Sequence, residues 1–65
     1  MTYREKLTEE HRVIFEKCER LYNFIENSPA YRDLSIEEQA DLKEQLRYMM
    51  GYETVLLRRL NRVRG

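Results

Sequence analysis

Sixty-five residues with one cysteine and one histidine allow neither an intramolecular disulfide nor a zinc site built within the chain. Twelve basic and twelve acidic residues cancel, which argues against a non-specific polyanion binder. A chain this short has a single apolar seam to set against the entropy of ordering every residue, so a partner subunit is the expected source of further stability.

The first element opens at a capping box. Thr2 and Glu5 stand three apart, the spacing at which each side chain satisfies the other's orphan backbone amide. From there Leu7, His11, Ile14, Cys18, Leu21 and Ile25 follow a 4-3-4-3-4 rhythm, which keeps one stripe of a helix facing a partner. The pattern predicts a helix over about 3–27. Cys18, on that stripe, reads as a buried and unreactive thiol.

Asn27-Ser28-Pro29 ends the first helix, because Pro29 cannot continue it and biases Ser28 away from helical geometry. Residues 28–34 are the expected connection. Ser35 and Glu38 form a second capping box. Leu34 holds the staple position before it, but would meet the polar Gln39 and is expected to pack elsewhere. A second helix then covers about 36–62, with Leu42, Leu46, Met49, Glu53, Leu56, Leu60 and Val63 on its seam. Gly51 interrupts it at a cost of roughly 1 kcal/mol relative to alanine, which suggests the close approach of a crossing helix or of a flat ligand.

The fold class is therefore all-α: an antiparallel two-helix hairpin assembling into a homo-oligomeric helical bundle. Folding the chain about residues 31 and 32 sets Leu21 against Leu42, Cys18 against Leu46, Ile14 against Met49 and Leu7 against Leu56. His11 then meets Tyr52 and Glu53, so the polar residue of each seam falls in one layer, a device that fixes register. Val13, Phe15, Tyr22, Phe24, Met50, Val55 and Leu57 lie off the seam and are the reason to expect an oligomer.

No catalytic centre is legible. His11 and Cys18 stand about two turns apart on one helix face, no phosphate-cradling glycine loop is present, and the carboxylates of Glu37, Glu38, Asp41 and Glu44 read as a solvated face. An enzyme, a cofactor and a metal site are not expected. Neither a signal peptide nor a membrane span is visible, so a cytosolic protein is expected.

The binding candidates are aromatic and basic. Tyr31-Arg32 leads into the second helix, Arg47-Tyr48 follows about four turns on, and Arg58, Arg59, Arg62 and Arg64 crowd a tail without acids. A tyrosine face and a guanidinium fork are what nucleotide recognition uses. The competing reading has Tyr31 plugging the end of the hairpin, Arg47 pairing with Glu44, and the basic tail pairing with Glu5, Glu9 and Glu10.

Leu21, Phe24-Ile25, Tyr31, Leu34-Ser35, Glu37-Glu38, Leu42, Gln45-Leu46, Met49, Tyr52, Leu56 and Arg59 together resemble the small helical-hairpin proteins of tailed and crAss-like bacteriophages. That hairpin is similar to the one in phage sponges that counter the CBASS and Thoeris defence systems. The resemblance covers about residues 12–60. It implies a homo-oligomer in the host cytoplasm that sequesters a cyclic oligonucleotide or cyclic ADP-ribose signal without catalysis, with no membrane and no specific DNA or RNA partner. Tyr31 looks like the counterpart of a base-stacking tyrosine, and Arg47 is the charged residue nearest the family's phosphate-binding position. The implied ligand-binding set is Tyr31, Arg32, Arg47, Tyr48, Arg58 and Arg59. The chain departs from those sponges in carrying a long helix before Tyr31. A helical adaptor that docks on a host or phage protein is the alternative.

Overall fold

A computed structural model describes residues 1–64, with side chains through Val63. It holds three helices, α1 (Tyr3–Asn27), α2 (Pro29–Arg32) and α3 (Ile36–Arg64), in a rod of 45 × 15 × 15 Å. The long helices run antiparallel, as the seam spacing predicts. Arg64, counted in the basic tail, has its side chain outside the described residues.

Both ends of α1 obey local rules. The Glu5 amide donates to Thr2 Oγ1 at 3.1 Å and the Thr2 amide donates to Glu5 Oε1 at 2.9 Å, which completes the capping box. The bond from the Thr2 amide, followed by one from the Thr2 hydroxyl, holds the Glu5 carboxyl below its ordinary range. At the other end Ser28 is extended, at φ −88° and ψ 127°, as a residue before proline should be. Its hydroxyl accepts from the Ala30 amide, and Pro29 at the next position starts a new turn. The connection expected over 28–34 thus contains the one-turn helix α2. The Ser35 hydroxyl accepts from the Glu38 amide at 3.1 Å and opens α3.

Gln39 closes the turn. Its side-chain amide donates to the carbonyls of Tyr31, Arg32 and Leu34 at 3.0–3.4 Å, adding to the bond that the Tyr31 carbonyl accepts from the Leu34 amide at 3.1 Å. The Tyr31 hydroxyl returns a bond to the Gln39 carbonyl at 3.2 Å. The polar residue that cannot staple Leu34 by apolar contact therefore clasps the turn by hydrogen bonds.

The core sits at the open end, away from this clasp. Leu7, Ile14, Leu56 and Leu60 form one buried cluster, with Cys18 and Met49 packed against its side. Each fully buried aliphatic contributes roughly 1.5–3 kcal/mol. Cys18 is half-buried where burial was expected; desolvation, followed by the charge of Glu53, pushes its thiol upward. Val63, placed on the seam by its spacing, is 40% exposed, because α3 there has reached the level at which α1 begins.

His11 and Glu53 meet as the register requires, with Nε2 and Oε2 2.5 Å apart and the Phe15 ring stacked on the imidazole at 6.0 Å. The two side chains are 22% and 20% exposed, so each is largely desolvated. Glu53→Ala should therefore cost about 1–3 kcal/mol by leaving His11 unpartnered, whereas Glu53→Leu, which refills the seam, should cost less or stabilise. Thermal unfolding of the two variants by circular dichroism distinguishes them; equal and negligible shifts would mean that the layer contributes nothing.

A Cβ built on Gly51 meets nothing within 4 Å. Neither the crossing helix nor any other close approach invoked for it exists within the single chain.

Candidate functional site

The six candidate residues fall at three separate heights of the rod. Tyr31 and Arg32 belong to the turn. Tyr31 is 6% exposed; its ring meets the edge of Phe24 at 6.0 Å and 85°, and its hydroxyl is bound to Gln39. Of the two roles the sequence allows this residue, plug and stacking platform, the single chain displays the plug. Arg32 is exposed in the last turn of α2.

Arg47 and Tyr48 stand more than about 15 Å along α3 from its first residue. The Arg47 guanidinium lies 5.0 Å from the centroid of the Tyr48 ring, a cation–π contact, in place of the ion pair with Glu44. Tyr48 is 64% exposed, so one adjacent pair offers both an aromatic surface and a fixed positive charge. A shallow depression beside it is lined by Asp41, Glu44, Gln45, Met49 and Tyr52.

Arg58 and Arg59 lie at the open end. Arg59 Nη2 donates to the Tyr3 hydroxyl at 2.7 Å, with its guanidinium 5.9 Å from that ring. This hydrogen bond, ahead of the more distant charge of Glu10, holds the guanidinium above its ordinary range. Two of the three glutamates expected opposite the basic tail have local engagements instead, and Glu10 alone acts on Arg59 through its charge. Glu5 serves the cap, and Glu9 binds Arg12, which also reaches Glu16. Tyr3 went unrecognised as a candidate; antiparallel register, which sets residue 3 near residue 60, was the signal that could have found it.

The structure thus brings together Arg47 with Tyr48, and Arg59 with Tyr3, and it does not gather the six into one pocket. Among the described residues no cluster of three or more His, Cys, Asp or Glu side chains could hold a metal ion, and no helix is long and apolar enough to cross a membrane.

A second concavity, an apolar groove of about 190 Å³, is lined by Phe15, Cys18, Tyr22, Leu46 and Met50, with Glu19 and Glu53 at its edges. It runs between the two long helices on one side of the hairpin.

Residues 1–62 match a family model described as Sequestin. No curated protein and no solved structure matches the chain.

Proposed function

The chain belongs to the Sequestin family, and on that premise we propose that it binds a small signalling molecule and withholds it without transforming it. The specific form of the reading is a phage-encoded sponge acting in the host cytoplasm on cyclic oligonucleotide or cyclic ADP-ribose immune signals. The observation that carries it is the family match across nearly the whole chain, whose name denotes sequestration. The Arg47–Tyr48 pair adds physical support, since a base needs a flat face and a phosphate needs a guanidinium.

Within this reading Arg47 and Tyr48 make the first contacts, and Arg58 and Arg59 supply charge from the open end. The clusters are roughly 17 Å apart along α3, so one small ligand touches both only when they come from different subunits. Arg32 adds charge beside the turn, and Tyr31 acts by holding that turn in shape.

Calorimetric titration with cyclic dinucleotides, cyclic trinucleotides and cyclic ADP-ribose isomers tests the proposal. One class should bind and be recovered chemically unchanged after the protein is denatured. Tyr48→Ala should weaken that binding roughly 10- to 100-fold, as expected for a lost base-stacking contact, with helical content preserved. No binding by any member of the panel would overturn the sponge reading. The apolar groove beside Phe15 and Met50 favours the second reading, a helical adaptor for a protein partner, which would then take its place.

A further inference from the structure

The open end of the rod holds an arginine whose hydrogen-bonding capacity is mostly unspent. Arg59 Nη2 donates to the Tyr3 hydroxyl at 2.7 Å, and a guanidinium carries several further N–H donors that meet no acceptor among the described residues. No carboxylate among those residues forms an ion pair with it; Glu10 acts on it through charge alone. Arg12 shows the contrast, since its guanidinium is bound by Glu9 on one side and by Glu16 on the other.

Tyr3 is placed to aim the unspent group. It is the first residue of α1, and the capping box of Thr2 and Glu5 fixes the turn that carries it. Its side chain is 59% exposed. The phenol oxygen accepts from Arg59, so its own O–H remains a donor, and that donor too is without an acceptor among the described residues. A neutral O–H donor and charged N–H donors therefore stand within one hydrogen-bond length of each other on the surface. Arg62, one turn further along α3 and exposed, lies on the same side of the helix as Arg59.

We propose that Tyr3 and Arg59 form an anion site that takes a phosphate group, with Arg62 as a flanking charge. The guanidinium fork offers parallel donors to two oxygens of an anion. A tetrahedral phosphate keeps further oxygens out of that plane for the phenol, whereas a carboxylate has none to spare. Tyr3 is then a contact residue as well as the one that positions Arg59. The inference rests on the sponge reading only for the identity of the molecule that carries the phosphate. The same arrangement makes Glu10 an antagonist, because a charge near enough to act on Arg59 also repels the incoming anion.

Inorganic phosphate and acetate, titrated into isotope-labelled protein and followed by NMR, test the site without any cyclic nucleotide. Constant low ionic strength keeps surface charges least screened. Phosphate should shift the signals of Tyr3, Arg59 and Arg62 in one saturating transition, and acetate should bind several-fold more weakly. Arg59→Gln should raise the phosphate Kd about 10- to 100-fold and Tyr3→Phe, which keeps the ring, roughly tenfold. Glu10→Gln should lower it about twofold to threefold. Helicity should be unchanged in all three variants, since none of these side chains belongs to the buried cluster. A Kd that Tyr3→Phe leaves unchanged overturns the role of Tyr3 and reduces the pair to a clamp between helix ends. Acetate binding as tightly as phosphate overturns the assignment of the ligand group. Exposed arginines that all shift together without saturation overturn the site itself. The sponge reading fails separately: phosphate bound at Tyr3 and Arg59, with no cyclic nucleotide or cyclic ADP-ribose bound, would leave this site standing and that reading overturned.

Discussion

Tyr31→Ala should destabilise the hairpin by about 3–5 kcal/mol, the range for truncating a large buried aromatic. For a domain whose total stability is roughly 5–15 kcal/mol, that is a major fraction. The ring fills the end of the seam against Phe24, and the hydroxyl is one half of the clasp with Gln39. Tyr31→Phe keeps the ring and loses only the hydroxyl bond, so it should cost about 1 kcal/mol. Denaturant titration of both variants measures the difference. The comparison also bears on the ligand: lost binding in Tyr31→Ala with binding retained in Tyr31→Phe, accompanied by lost helicity only in the former, identifies a structural role. Lost binding with intact helicity in Tyr31→Ala would show that the ring itself meets the ligand.

Leu56→Ala should cost about 2–5 kcal/mol, from lost transfer energy plus the cavity left behind. Leu56 is fully buried, at 0% exposure, in one cluster with Leu7, Ile14 and Leu60. Leu57→Ala, one residue on and 44% exposed, should leave the isolated hairpin nearly unaffected. Thermal unfolding of the pair therefore reports whether burial follows the seam. Equal losses in both would show that burial in solution does not follow the seam.

Most of this fold could be read from periodicity. The seams, both ends of α1 and the His11–Glu53 layer follow from spacing and capping chemistry alone, because a hairpin with one turn has a single register consistent with both seams. The turn was less legible. Pro29 marks a break, but nothing local states that carbonyls of the turn will be met by Gln39, whose polarity at a staple position was a clue without a partner. The open end misled for a related reason. Glu5 and Glu9 look available to the basic tail until their own cap and their own arginine are counted, and Arg59 turns to Tyr3 instead. The candidate site was the least legible part, because aromatic and basic residues at helical spacing satisfy a plug, a cation–π pair and a ligand contact equally well. Choosing among them requires knowing which rings are buried, and for Tyr31 and Tyr48 the exposures are opposite.

The separation of the turn clasp from the aliphatic core has a consequence for the order in which the molecule folds. Tyr31 and Gln39 are eight residues apart, whereas Leu7 and Leu56, which belong to the core, lie near opposite ends of the chain. Loop-closure entropy rises with the length enclosed, so the short-range clasp is inexpensive to form and the stabilising contacts are the most distant ones. Zipping from the turn must cross half-buried layers before it reaches the cluster that rewards it. The transition state is then expected to contain the clasp and to lack the core, so Tyr31→Ala should mainly slow folding and Leu56→Ala mainly speed unfolding in stopped-flow measurements. A hairpin built this way opens first at its far end, and the residence time of its closed form is set by four aliphatic side chains.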